Sequence, residues 1–275
     1  MAKCNEGIME YINSEIKGKA YQNHPVFEKI DHMKAYYDGL SDTCFHFIPN
    51  GTLGAANYAS YVYMSICTTL DSIKMLLKTG HITDAFVLIR KLFDTVLVEI
   101  YFDVVRKDRF DWIENFVVKD VDEWLKGKHR IPKTDKILTA FKNSPSTKEL
   151  FPFFGWDTYL KKNRELLDDS VHVNRYSSIL LNCPSVYIED RMQQLKNADI
   201  ILNQIVLIHM AFIFYLNGHY MMASDHIDYL DMGMTPPEGS EYWLANYAQN
   251  AFDEFIKPHE RLATFIKEHC AMEIL

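Results

Sequence analysis

The sequence predicts an all-α protein, built as a helical bundle with long antiparallel helices. Glycine and proline make up only 20 of the 275 residues, about 7% of the chain where roughly 12% is average. Sandwiches and barrels need such residues at every corner, so their scarcity favours long helices. Apolar residues also recur at steps of three and four through long segments, which is the helical period. Since 48% of the residues are hydrophobic, we expect a single all-α domain over residues 1–275.

The first half of the chain predicts a helical hairpin. Short helices are expected at 5–17 and 25–39, followed by a long helix from about Asn57 to Lys78. Gly80 then suits the left-handed conformation that ends many helices. A second long helix follows, with apolar steps from Ile82 to Val104. These two helices begin the core bundle, which we place at about 57–217.

The opposite side of this second helix carries polar residues that predict a solvated stripe. The stripe occupies only about a third of the helical wheel, so the helix is expected to be central in the bundle. The residues of the stripe are Asp84, Lys91, Thr95, Glu99, Asp103 and Arg106.

The second half of the chain predicts two further long helices. Shorter helices are expected at 109–126 and 157–173, with a surface excursion from Gly127 to Gly155 between them. The third long helix covers about 198–216. The fourth is expected at 236–268, because Thr235 to Glu238 has the pattern of a capping box, and Pro258 should break or bend it near Lys257.

Composition excludes several functional classes. The five cysteines are scattered and form no Cys-x-x-Cys pair, so neither a disulfide framework nor a zinc knuckle is predicted. The opening residues lack the apolar run of a signal peptide, and Ile205–Leu216 is too short to span a bilayer. We therefore expect a cytoplasmic protein with no membrane association. The net charge of −8 argues against a large nucleic-acid footprint.

Arg90 and Asp94 lie one helical turn apart within the apolar arc of the second long helix. That placement predicts a largely buried ion pair. The pair could be a structural salt bridge that fixes helix register. It could also be an arginine aimed into an anion-binding cleft and oriented by Asp94.

Two histidines are the other candidates. His172 follows Asp168 and Asp169 and precedes Arg175, so it is either a passive residue on an acidic face or a general acid/base with a cationic partner. His209 lies on the apolar seam of its helix, where a hydrogen-bonded core histidine and a ligand-binding residue are the alternatives. Asp169 and His172 have metal-ligand spacing but lack the further carboxylates that a di-iron bundle needs. No metal and no cofactor is predicted.

The order of these signals resembles a known group of proteins. A helix ending LLKTGHITDAF precedes VLIRKLFDTVLVEIYF and, much later, YLKKNRELLDDSVHVNRYSS. This order is similar to that of bacterial all-α proteins of undefined function related to the HEPN (higher eukaryotes and prokaryotes nucleotide-binding) superfamily. The resemblance covers about residues 57–217 and implies a site made of Arg90, Asp94 and His172.

The resemblance also implies a class of function. Many HEPN proteins are metal-independent ribonucleases, often toxins or phage-defence effectors acting as dimers. Their signature is an arginine followed after four to six residues by a histidine, and no arginine in this chain has a histidine at that spacing.

Three hypotheses follow. The first is an HEPN-like ribonuclease or RNA- or nucleotide-binding homodimer, with His172, Arg90 and Asp94 as catalytic residues and Arg175 and His209 as ligand-binding residues. The second is a non-catalytic helical dimerisation or interaction module. The third is small-ligand or nucleotide binding in the bundle core through Arg90, because an arginine fork matches carboxylate and phosphate geometry.

Overall fold

The structure is a computed structural model that describes residues 15–47, 58–111, 113–115, 117–186, 188–189 and 191–275. It confirms the all-α fold: the described part is 72% helical and contains no strand. Contacts between successive long helices form a bundle. The described residues form twelve α-helices: α1 Lys19–Gln22, α2 Val26–Phe47, α3 Tyr58–Thr79, α4 Ile82–Arg109, α5 Lys119–Leu125, α6 Thr134–Asn143, α7 Tyr159–Val171, α8 Tyr176–Leu181, α9 Arg191–Asn217, α10 Asp225–Asp231, α11 Asn246–Ala251 and α12 Glu260–His269.

The predicted hairpin of α3 and α4 is confirmed. Gly80 has φ 82°, and the N–H of His81 donates to the carbonyl of Leu76 at 2.9 Å. This left-handed turn closes α3 and lets α4 begin at Ile82. The helix predicted at 198–216 is also present, as part of the longer α9.

The C-terminal prediction is wrong over its first ten residues. Residues 236–268 do not form one helix, because Gly239 is left-handed at φ 78° and a 3₁₀ turn follows at Ser240–Tyr242. Helix starts only at Asn246 and continues as a π-helical turn to Ile256. The break predicted at Pro258 is confirmed, since α12 begins at Glu260.

The shorter predicted helices have shifted ends. Residues 5–14 lie outside the described part, and residues 15–17 are helical. The helix predicted at 109–126 is reduced to α5, since the Asp111 carboxylate accepts the N–H groups of Ile113 and Glu114 and turns the chain. The helix predicted at 157–173 is α7, and the one at 25–39 extends into the 22-residue α2. The excursion at 127–155 contains α6.

The chain divides into two compact units, and a single domain over residues 1–275 stays a prediction. Unit 1 comprises Met1–Lys34, Ile66–Asp94 and Gly155–Ile205, and unit 2 comprises Ala35–Ser65, Thr95–Phe154 and Val206–Leu275. Each has its own buried apolar core. Fully or almost fully buried members include Ile73, Leu77, Ile89 and Leu167 in unit 1 and Phe102, Phe141, Phe212 and Phe252 in unit 2.

Among the residues that the structure describes, one apolar stretch is long enough to cross a membrane by length and composition alone. It runs from Arg191 to Met221, and 67% of its most apolar window is buried inside the protein. Core helices of soluble proteins have the same character, so the stretch is weak evidence for a membrane span.

Candidate functional site

The guanidinium of Arg90 is held by two carboxylates of unit 1. Its Nε donates to Asp168 Oδ1 at 2.7 Å, and its Nη1 pairs with Asp94 one turn along α4. The Arg90 side chain is 13% exposed and that of Asp94 is 49% exposed. The prediction of a largely buried pair is therefore confirmed for the arginine and wrong for the aspartate, whose carboxylate reaches solvent at the edge of the apolar arc.

The contacts of Arg90 with Asp94 and Asp168, which we name the Arg90 clamp, join α4 to α7. Burial lowers the pKa of Arg90. The hydrogen bonds and charges of Asp94 and Asp168 together raise the pKa by more than burial lowers it, so the pKa lies above its ordinary value. Arg164 adds a second cation 3.9 Å from Asp168. Because the charge of Arg90 is matched by two neighbouring acids, the geometry suits a positioning residue better than a free anion ligand.

A polar groove of unit 1 is lined in part by α7, the helix that Arg90 holds through Asp168. Its volume is about 530 Å³, within the range of small-ligand sites. α4 and α9 contribute Thr83, Phe86 and Gln194, whereas α7, α8 and the turn between them contribute Lys162, Glu165, Leu166, Asp169, Ser170, Arg175, Ser177, Ser178 and Leu181.

The charges of the groove are balanced. Its lining contains two cations, Lys162 and Arg175, and two acids, Glu165 and Asp169. Arg175 pairs with Asp169 at 2.8 Å, but its side chain is 72% exposed. An ion pair so open to water contributes little to stability and leaves the guanidinium available to a ligand.

His172 ends α7 in the turn between Ser170 and Arg175. Its N–H donates to the carbonyl of Asp168 at 2.9 Å, and its side chain is exposed. Its imidazole makes no hydrogen bond or ion pair with any other described residue. The structure therefore brings Arg90, Asp94 and Asp168 together, and the imidazole of His172 is not bonded to any of the three.

The turn after His172 is strained. Val173 has φ 51° and is the only non-glycine residue with positive φ among the described residues. A β-branched side chain rarely adopts this conformation, which costs about 1–2 kcal/mol. Strain of this kind is concentrated at functional sites, and here it lies in the segment that carries Arg175 into the groove.

His209 lies in unit 2 and is fully buried. Its Nδ1 is 2.8 Å from the hydroxyl of Tyr37, and its Nε2 is 2.9 Å from Glu99. Burial lowers the pKa of His209 to about 3, so the ring is neutral, with Nδ1 accepting from Tyr37 and Nε2–H donating to Glu99. Both ring nitrogens are therefore used inside the core, which is the arrangement of a structural histidine.

The solvated stripe predicted for Glu99 and Asp103 is wrong. The side chains of these acids are only 1% and 3% exposed. Tyr63 donates to Glu99 at 2.7 Å, and Tyr58 and Asn217 donate to Asp103.

Arg106 completes this buried network of unit 2. Its Nη2 donates to the Tyr220 hydroxyl at 2.7 Å and to Asp103 at 3.3 Å. Burial raises the pKa of Glu99 and of Asp103 to about 7 each. The sequence contains one signal of this network. Glu99, Asp103 and Arg106 form a narrow polar stripe on α4, which is expected to be central, and His209 lies on the apolar face of another long helix.

Comparison with protein families, with curated proteins and with solved structures finds no match to this chain. The family resemblance seen in the sequence is therefore supported only at the level of an all-α protein of about 12 helices. No group of three or more metal-ligating side chains is found among the described residues.

Proposed function

We propose that this chain binds a nucleotide, free or as a unit of RNA, in the polar groove of unit 1. The observation that carries the proposal is the exposed guanidinium of Arg175 in a groove of about 530 Å³, presented by the strained turn at Val173. This proposal keeps the nucleotide-binding part of the HEPN resemblance and gives it a place in the fold.

The balanced charge of the groove supports a nucleotide over a bare anion. The forked guanidinium of Arg175 matches a phosphate, and Lys162 adds a second positive charge. Glu165 would accept hydrogen bonds from ribose hydroxyls or a base amino group. A bare phosphate would gain the contacts of Arg175 and Lys162, but it would leave the repulsion of Glu165 and Asp169 without any compensating hydrogen bond. The Arg90 clamp serves as support, because it fixes the helix that carries these residues.

Calorimetric titration with adenosine 5′-monophosphate tests the proposal. We expect saturable binding that weakens about tenfold or more in Arg175→Ala, since losing a charged hydrogen bond to phosphate removes at least about 1.4 kcal/mol. Arg261→Ala is the matched control, because Arg261 is exposed in unit 2, and it should bind as the wild type does. Equal affinity in the wild type and in Arg175→Ala would reject the groove.

A second arm distinguishes the source of the nucleotide. Hexa-adenylate RNA is titrated under the same conditions as the mononucleotide. Tighter binding of the RNA, with a steeper salt dependence, would identify an RNA-binding protein, because each further phosphate contact adds to the salt slope. Equal affinities would identify a mononucleotide site.

RNA cleavage is the second candidate function, favoured by the exposed imidazole of His172 between two groove-lining residues. A solvent-accessible histidine in this position is suited to general acid/base transfer at a ribose 2′-hydroxyl. Incubation with labelled RNA should give cleavage that His172→Ala reduces at least about 100-fold. Cleavage equal in both proteins would reject His172, and RNA left intact by both would leave a binding protein without nuclease activity.

A further inference from the structure

A surface of unit 2 combines exposed apolar side chains with a run of acids. Single exposed apolar residues are common, but a concentration of them marks an interaction surface. Six large apolar side chains within 227–243 are 36–64% exposed: Ile227, Leu230, Met232, Met234, Tyr242 and Trp243. We name these six, with the exposed acids among them, the apolar–acidic surface.

The charged side chains that this segment contributes are all acidic. Five exposed acids lie between 225 and 241, and no lysine or arginine occurs from His219 to Ile256. Methionines supply two of the apolar side chains, and methionine is common at surfaces that accommodate helical partners. The five acids are Asp225, Asp228, Asp231, Glu238 and Glu241.

The backbone beneath the surface is well fixed. His226 Nδ1 lies 2.9 Å from the hydroxyl of Ser240, which joins α10 to the 3₁₀ turn at Ser240–Tyr242. Gly233 has φ 70°, and the N–H of Met234 donates to the carbonyl of Tyr229 at 2.9 Å, which ends α10 in a Schellman motif. The exposed side chains are therefore presented by ordered backbone.

A groove continues the surface at Trp243. It has a volume of about 460 Å³ and is also lined by Leu244, Asp225, Asn246 and Glu273. The N–H of Ala223 donates to the carbonyl of Trp243 at 2.8 Å, so its wall is held by main-chain bonding. A lining that combines Trp243 and Leu244 with Asp225 and Glu273 provides a place for one large anchoring side chain and for a cation near it.

We propose that the apolar–acidic surface binds a lysine- or arginine-rich amphipathic helix of a partner protein. The apolar stripe of such a helix would cover the six exposed side chains, while its basic residues would face the five acids. A second copy of this chain does not fit the same face. A two-fold interface would place the five acids of one copy against the same five acids of the other, and their charges would repel. This surface is separate from the nucleotide groove and does not depend on it.

Fluorescence anisotropy with a labelled synthetic peptide tests the proposal. The probe is an 18-residue peptide of leucine and lysine at helical spacing, and a scrambled peptide of the same composition is its control. We expect the full chain to bind the helical peptide at least about tenfold more tightly than the scrambled one, because only the former presents a continuous apolar face.

Two pairs of variants localise the binding. Asp228→Lys/Asp231→Lys should weaken it about tenfold or more, whereas the same charge change at the exposed acids Asp135 and Glu149 should change it less than about twofold. Leu230→Ser/Met232→Ser should weaken it by a similar factor. Its control is Met75→Ser/Ile200→Ser, where Met75 and Ile200 are 61% and 53% exposed in unit 1.

Three results would overturn the proposal. Equal binding of the scrambled peptide would reduce the surface to a general attraction of cations. Equal loss in the control variants would place the site elsewhere. A wild-type dimer in sedimentation velocity that Leu230→Ser/Met232→Ser converts to monomer would show that a second copy covers the face. Should the charge-reversed pair lower the melting temperature, Asp228→Asn/Asp231→Asn replaces it, with about threefold weaker binding expected.

Discussion

The two charged clusters of α4 use the same chemistry in different surroundings. Toward the N-terminal end of the helix, Arg90 bonds Asp94 and Asp168, whose carboxylates are 49% and 34% exposed. Toward its C-terminal end, Glu99 and Asp103 are closed off from water. The difference teaches that burial, not residue type, decides the role of each cluster. The partly exposed one positions α7, a helix that lines the groove, and the buried one is saturated by its own neighbours.

The largest expected effect compares two histidines. His209→Leu should destabilise the protein by about 3–5 kcal/mol, because it leaves buried Glu99 and Tyr37 without their partner. His172→Leu, at an exposed position, should change stability by less than about 0.5 kcal/mol. Urea unfolding of both variants measures the difference, and similar losses in the two would show that the burial contrast is wrong.

The buried carboxylates predict an unusual pH dependence. Their folded pKa of about 7 lies above the ordinary values of 4.5 and 3.8, so between pH 4.5 and 7 the folded state holds protons that the unfolded state has released. Stability from these two groups therefore falls as the pH rises through that window.

His209 opposes this trend, because its pKa is lowered from 6.5 to about 3. The unfolded state binds that proton first, so the histidine contributes stability as the pH rises from 3 to 6.5. Because two carboxylates with raised pKa outweigh one imidazole with a lowered pKa, stability should decline by on the order of 1 kcal/mol per pH unit from pH 5 to 6.5. Unfolding free energies at several pH values measure it.

A matched pair of variants assigns that slope to the network. Glu99→Gln should flatten the decline, since one of the two raised carboxylates is removed. Glu165→Gln, in the exposed groove, should leave the slope unchanged. A wild-type stability that rises steadily from pH 5 to 7 would contradict the assignment.

The Arg90 clamp should have a moderate effect. Asp168→Asn is expected to cost about 1 kcal/mol and Asp94→Asn less, because both carboxylates are partly screened by water. Thermal melts check the two values. A loss near 4 kcal/mol for Asp94→Asn would mean that this carboxylate is closed off from water, which would remove the contrast with Asp103.

The smallest expected change concerns the strained turn. Val173→Gly should raise stability by only about 0.5 kcal/mol, because the relief of the steric penalty is partly offset by the greater freedom of glycine in the unfolded chain. The greater freedom of the turn should at the same time weaken binding of adenosine 5′-monophosphate about two- to threefold. Chemical denaturation measures the change in stability, and calorimetry measures the change in affinity. An unchanged affinity would show that the strain at Val173 does not contribute to nucleotide binding.

The sequence predicted the elements that depend on local pattern. Apolar residues that recur every three or four positions predicted the long helices α3, α4 and α9. Gly80 predicted the turn between α3 and α4. The capping-box pattern at Thr235 failed because two prolines and a left-handed Gly239 continue the turn to Trp243. Local pattern did not reveal that a further layer of tyrosines would cover Glu99 and Asp103.

The sequence named Arg90, Asp94, His172 and Arg175 as candidate site residues, and their part in a functional site stays a prediction. It could not predict the bond from Arg90 to Asp168, which joins residues 78 positions apart. Lys162, Glu165 and the serines of α8 enter the groove only because α7 and α8 meet around one turn. Such a meeting depends on tertiary packing, which a spacing rule within one helix does not describe.

Chemical-shift mapping during a titration with adenosine 5′-monophosphate tests the central claim most directly. We predict saturable shifts at the backbone amides of Thr83, Ser177 and Arg175, while the amides of Glu99 and His209 stay unmoved. Shifts centred on the buried network, or none at all at millimolar nucleotide, would contradict it.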